Sequence, residues 1–479
     1  MSLRRHGEPA DSVLAALAEL RAGDLPTHGG RTWAYVYDSG LAEVDELANR
    51  AAAAVNGLNG LDPTVFPSLL AMENDVVAAT IGLLGGGPET VGTVTSGGTE
   101  SILLAVKAAR DGRPEIDRPQ LVAPVTAHAA FAKAAEYLRV ELVPVPVDPV
   151  RFRPDPAGVA AAITDRTVLV VVSAPSYAHG VIDPVLEIAA EASARGVRCH
   201  VDACIGGWVL PYWRRLGVEL PAFDLSVPGV TSISVDLHKY AYAPKGTSVL
   251  LHRSAELRRP QYFAFADWPG YSMINATVQS TKSAAPLAAA WAVLRHLGDE
   301  GYLRLAAQTL DATRALMAGV SAVDGLRVLG PPEASLVAFG SDEVDLFVLA
   351  DELTTRGWYV QPQFGFGALP PNLHLTVTAA SAGQIQPFLA DLAVSVPAAL
   401  AHGPTVVDAG LVAAIQALDP ATLTPEEFGF LLTGAGLGDG SGGFGLPARM
   451  AEVNTLLAVA PPRLRERLLV EFLGLLYTP

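Results

Sequence analysis

Apolar positions change their pattern three times along the chain. From Thr64 to about Gly301, short apolar runs (TVGTVTS, QLVAPVT, TVLVVVSAP, VRCHVDA, VTSISVD, SVLLHR) alternate with Ala-rich stretches of helical period. A run such as TVLVVVSAP is apolar throughout, which predicts a strand covered on both faces. Strands of this kind separated by helices predict a largely parallel sheet with helices on each side. Ahead of this region the pattern predicts a helix around Asp11–Leu20, a turn-rich stretch, and a second helix over LAEVDELANRAAAAVNGL. Behind it, a long helix, GYLRLAAQTLDATRALMAGVSAV, leads into the short strands SLVAFGS and NLHLTVT, as in a small α+β domain. The last stretch is broken by GAGLGDGSGGFGLP and ends in helical RLRERLLVEFLGLLY. Four segments result: residues 1–65, helical; 66–300, a large α/β domain; 301–395, a small α+β domain; and 396–479, a helical tail.

Composition narrows the picture. In 479 residues, half are hydrophobic and 17% are charged, the make-up of a compact globular chain. A formal charge of -16 argues against a nucleic-acid or anionic-lipid partner. No uninterrupted apolar run approaches the roughly 18 residues a bilayer span needs. Glu8, Asp11 and Glu19 interrupt the N-terminal stretch where a leader would need an apolar core. Two cysteines, Cys199 and Cys204, cannot build a disulfide framework and fit a reduced compartment. A soluble, cytoplasmic protein without a membrane partner is expected.

Lysine usage brings in the chemistry. Of 33 basic residues only five are lysine, yet Lys239 and Lys245 stand six apart in SVDLHKYAYAPKGTSV. Arginine replaces lysine wherever only charge is needed, but a guanidinium cannot lose its proton and attack a carbonyl. A lysine kept in such a place suggests a Schiff base. VTSISVD reads as a strand, which puts Lys239 at its carboxyl end or in the loop beyond. Three further elements reach the same rim of the sheet. In TVTSGGTES a strand meets a Gly97-Gly98 turn and a helix beginning near Thr99, aiming backbone N–H groups at one point as a phosphate requires. The plain alternative there is a turn capped by Ser96 or Thr99. Asp202 ends the apolar strand of HVDACIGGW, where ligands bind in open α/β sheets or where a helix cap sits. His128 lies between a strand and a helix in VTAHAAFAKAAEYL. A metal site from Cys199, His200, Asp202 and Cys204 is disfavoured, because consecutive strand residues face opposite ways. A lysine, a buried carboxylate, a flat ring and a phosphate cradle together match what pyridoxal 5′-phosphate needs.

The motifs TSGGTESI, SAPSYAHGVIDPV, HVDACIGGW, DLHKYAYAPKGTSV, FADWPG and PPNLHLTVT resemble those of the sphingosine-1-phosphate lyase family, in order, from about Gly30 to Thr378. That family belongs to the pyridoxal-phosphate-dependent decarboxylases of fold type I, the aspartate-aminotransferase-like fold. The resemblance implies a mostly parallel seven-stranded sheet with a smaller C-terminal α+β domain, and a homodimer with active sites at the interface. It implies that Lys239 carries the cofactor covalently, that Asp202 contacts the pyridine nitrogen and that His128 stacks on the ring. Gly98, Thr99 and His238 would hold the phosphate, and Thr281 would reach the phosphate of the neighbouring subunit. Lys245 and Tyr37 match residues that contact the substrate's phosphate.

The substrate end departs from the family. Where relatives carry Asn-Pro-Leu-His-Pro, this chain reads NGLDPTVFPS, so Asp62 stands in place of a histidine. A carboxylate there would repel a phosphate by roughly 1–4 kcal/mol. After WPG, Met273 replaces a tyrosine and a glycine-rich run is lost. The expectation is therefore a carbon–carbon lyase acting on a 2-amino-3-hydroxy amine, with a reduced preference for phosphorylated substrates. An amino-acid decarboxylase is the alternative, and a non-catalytic protein retaining the fold is a third.

Overall fold

The computed structural model describes residues 5–62, 64–424, 427–429, 431 and 447–477. The glycine-rich stretch GAGLGDGSGGFGLP falls almost wholly outside them. Two compact units form: residues 28–339 with 374–386, and residues 1–27 with 340–373 and 387–479. These units cut across the linear segments drawn from sequence.

The larger unit is built on a seven-stranded sheet. Its strands are β1 (Val91–Thr95), β2 (Gln120–Pro124), β3 (Glu141–Val145), β4 (Thr167–Ser173), β5 (Arg198–Asp202), β6 (Val230–Asp236) and β7 (Ser248–His252), in the order β1-β7-β6-β5-β4-β2-β3. β7 runs antiparallel to both neighbours, and β2 to β6 pair in parallel. All seven residues of β4 are buried, as expected for a strand covered on both faces. β3 escaped the sequence pattern. It is an edge strand, its first residue is exposed and it contains Pro144, so neither burial nor backbone pairing demands an apolar run.

The carboxyl ends of β1, β2, β4, β5 and β6 point to one edge of this sheet. Ser173 and Asp202, the last residues of β4 and β5, are in register. Asp236, the last residue of β6, pairs with Ser248. The helix predicted to open at Gly301 starts earlier, at Ala285, and runs to Ser321 with a break at Gly298 (φ 56°).

In the smaller unit, Ile415, Leu423, Phe428, Leu431, Val453, Leu456 and Leu464 form a core of their own. The buried Asp351 carboxylate accepts the N–H groups of Met450 (2.8 Å) and Ala451 (3.0 Å), capping the helix Ala451–Val459. One helical stretch, Ala379–His402, is long and apolar enough to cross a membrane by length and composition. Within the smaller unit its residues Phe388, Leu392, Val396 and Ala399 are buried at helical spacing, and Asp391 accepts the Trp358 indole N–H at 2.7 Å. That is the pattern of a core helix.

Candidate active site

A cavity of about 390 Å³ opens at the carboxyl edge of the sheet, lined by Gly98, Thr99, His128, Asp202, His238 and Lys239 among others. Six residues singled out from sequence thus meet in one place, although they come from segments spread over more than 140 positions. The volume lies in the range of small-molecule and cofactor sites.

Its first wall is the start of the helix Gly98–Asp111. Gly97 caps it with extended backbone and without any side-chain hydrogen bond, so the proposed Ser96 or Thr99 cap does not form. The first backbone N–H groups remain available at the positive end of the helix. Glycine at 98 is required by close approach: a Cβ there would lie 2.8 Å from both Asp236 oxygens and 2.9 Å from Cys204 Sγ.

The second wall carries the lysine. Lys239 Nζ lies 2.9 Å from Asp236 Oδ2. Burial works against the ammonium charge, but the Asp236 carboxylate outweighs it and holds the amine above its ordinary pKa. Burial also opposes charge on Asp236. There Lys239 and His238 prevail and keep the carboxyl below the usual range. His238 Nδ1 donates to the Thr247 carbonyl at 2.7 Å, which fixes its ring, and Nε2 sits 3.6 Å from Asp236.

Asp202 closes the floor. It is buried, and its Oδ1 accepts the Cys204 N–H at 3.1 Å. His200, two residues earlier on the same face, bonds Ser232 and Ser234 and is held neutral by burial at a pKa of about 3. It serves the sheet, not the cavity. Among the described residues no cluster suits a metal ion.

His128 makes the helix-start hydrogen bond of its plainer reading and also lines the cavity. Its Nδ1 accepts the Ala130 N–H at 3.2 Å, anchoring the ring at the start of the helix Ala130–Leu138, while the ring stays exposed along the cavity. Tyr177 meets it edge-on at 6.2 Å and stacks at a tilt on His374 at 4.5 Å.

Of the substrate candidates, Lys245 and Tyr37 come together. The Lys245 ammonium lies 4.9 Å from the centre of the Tyr37 ring and donates to the Tyr35 carbonyl at 3.0 Å. Desolvation, and secondly the Lys239 charge, lower Lys245 to about 8. Burial raises the Tyr37 phenol, and it too feels the charges of Lys239 and Asp236, so this pair adjoins the lysine. Asp62 does not join them. It is exposed, and Oδ1 accepts the Thr64 N–H (2.8 Å) and hydroxyl (2.6 Å), capping its own turn. The repulsion expected between Asp62 and a head group beside Lys245 therefore loses its basis within the chain. Thr281 is exposed and lies outside the cavity walls.

Sequence reasoning missed Asp236, Tyr177 and Glu100. Asp236 carried a readable signal, since it ends a buried apolar strand just as Asp202 does. The residues fit pyridoxal 5′-phosphate: an uncapped helix start suits its phosphate, Lys239 its aldehyde and Asp202 its ring nitrogen. The buried Ser173 hydroxyl on the cavity wall has no hydrogen-bond partner among the described residues and offers one more polar contact.

Comparison with known proteins agrees. Residues 36–341 match the pyridoxal-dependent decarboxylase conserved domain, and 409–475 match a putative helix-turn-helix domain found at the C-terminus of pyridoxal-dependent enzymes. A sphingosine-1-phosphate lyase of Dictyostelium discoideum is 40% identical over 74% of this chain, and one of Oryza sativa is 37% identical over 81%. The aligned stretch spans 66% of the Dictyostelium protein and 72% of the rice protein. The structure of a Burkholderia pseudomallei sphingosine-1-phosphate lyase superposes with a TM-score of 0.80 at 36% identity, covering 89% of this chain and 98% of that one.

Proposed function

We propose, on the premise that the chain belongs to the sphingosine-1-phosphate lyase family of the pyridoxal-dependent decarboxylases, that it cleaves the Cα–Cβ bond of a 2-amino-3-hydroxy amine bearing an anionic head group, releasing an aldehyde and a smaller amine. The observation that carries this reading is Lys239, paired with Asp236 in the cavity, with Lys245 and Tyr37 beside it. Pyridoxal 5′-phosphate, when bound, supplies an aldehyde for amines and a ring that takes up the electron pair of the breaking bond.

The remaining work falls to the chain. Asp236 keeps the Lys239 amine protonated, so the proton must leave Nζ before the amine attacks a carbonyl, and Asp236 Oδ2 is the acceptor in reach. The buried Asp202 carboxylate would favour a protonated pyridine nitrogen. The helix start at Gly98 and Thr99 holds phosphate by backbone donors. His128 supplies a flat face fixed by its bond to Ala130. Lys245 offers a positive charge to the head group, and the raised Tyr37 phenol stays a proton donor across the working pH range.

With Asp62 engaged in its own turn, a phosphorylated head group becomes the favoured substrate class, reversing the sequence expectation. The chain is further proposed to act as a homodimer, with Thr281 of one copy reaching the site of the other. The test is a substrate screen that identifies products, paired with borohydride reduction and peptide mapping. Aldehyde release from a phosphorylated amino alcohol and label on Lys239 are expected. Carbon dioxide release from an amino acid without aldehyde would overturn the lyase reading, and label elsewhere the lysine assignment.

A further inference from the structure

The first turn of the cradle helix contains a buried carboxylate that the reaction does not use. Glu100 is 7% exposed, and each of its oxygens accepts a different backbone amide. Oε2 takes the Ser96 N–H at 2.6 Å and Oε1 takes the Val278 N–H at 2.8 Å. Ser96 opens the cradle loop, and Val278 belongs to the segment leading to Thr281. That segment is held again at its far end. Lys282 Nζ lies 2.8 Å from Glu73 Oε2 and donates to the Val94 carbonyl at 2.6 Å, while Glu73 Oε1 accepts the Val94 N–H at 2.8 Å. β1 is an edge strand, so Val94 would otherwise leave these groups unpaired. Between the two anchors Thr281 is left exposed.

We infer that Glu100 is a positioning residue that ties the phosphate cradle to the 278–282 segment, so that binding the cofactor phosphate orders the stretch presenting Thr281. This rests on the cofactor reading above. Only a carboxylate makes both contacts: glutamine has one acceptor oxygen, and its amide NH₂ would face the other N–H donor to donor. A carboxylate in the first turn is also favoured by the helix dipole.

The test uses the full chain, freed of cofactor and titrated with pyridoxal 5′-phosphate, with hydrogen exchange followed over residues 276–283. For Glu100→Gln we expect cofactor affinity weakened about tenfold to a hundredfold, the range of one lost charge-assisted hydrogen bond, and faster exchange at Val278. In the natural sequence, adding the cofactor should slow exchange at Val278, and in the variant it should not. Unchanged affinity, or cofactor-induced protection that persists in Glu100→Gln, overturns the tie. A natural-sequence protein that takes up no cofactor overturns the cofactor reading instead, and the inference with it. Should Glu100→Gln fail to fold, Val278→Pro removes the other half of the contact at an exposed position, and the cofactor must then no longer slow exchange at the remaining amides of residues 276–283.

Discussion

At the scale of single residues, the site separates two carboxylates that sequence reasoning treated unequally. Asp202 and Asp236 both end buried strands, but Asp236 is paired with Lys239 while Asp202 lines the cavity and is proposed to serve the ring nitrogen. Asp202→Asn is therefore expected to keep the cofactor's absorbance and lose about a hundredfold to a thousandfold in turnover, the scale of one lost electrostatic contact in a buried site. Steady-state kinetics at saturating cofactor would measure it. Lys245 gives a pH dependence. With its pKa at about 8, the head-group charge is present below that value and lost above it. KM for a phosphorylated amine should rise above pH 8 with little change in kcat, whereas a neutral amine should show no such rise. For stability the sign is opposite to that of a salt bridge. Between about 8 and the ordinary lysine value the unfolded chain holds the extra proton, so this residue makes the fold more stable as pH rises through that window.

At the scale of elements, the cradle depends on how closely a helix approaches a strand end. Gly98→Ala would drive a methyl group into the Asp236 carboxylate and Cys204, and the Asp236 backbone is fixed by its pairing with Ser248. The helix start must shift outward. Overpacking of this kind costs typically 1–3 kcal/mol, and the displaced amides no longer converge on a phosphate. Weakened cofactor binding together with a lower Tm is expected, measured by titration and calorimetry. A variant that binds like the natural sequence would show that the helix start is not the cradle.

At the scale of the whole molecule, the proposed dimer makes one site depend on two chains. If Thr281 serves the neighbouring copy, then Lys239→Ala and Thr281→Glu chains, each inactive alone, should regain activity when mixed under conditions of subunit exchange. One site of the hybrid would hold both an intact lysine and an intact Thr281. Size-exclusion light scattering establishes the exchange, and an inactive hybrid of proven composition would exclude the shared site.

Runs such as Thr167–Ser173 were legible because strands buried on both faces are continuously apolar, and Lys239, Asp202 and His128 because their residue types stand out at strand ends, which the structure brings to one cavity. The edge strand Glu141–Val145 was not legible, since half-exposed pairing imposes no such pattern. Asp236 was visible as a strand-end carboxylate, but its pairing with Lys239 was not, because an aspartate at a strand end reads the same whether it caps, pairs or binds. The direction of Asp62 is the clearest case. Its position in a motif suggested a substrate contact, while two local hydrogen bonds from Thr64 engage it in its own exposed turn. Sequence by itself determined which chemical groups the protein owns and which strand ends carry them. Only the tertiary structure decided which of those groups meet, because a side chain's direction is set by hydrogen bonds and packing from segments far away in the chain.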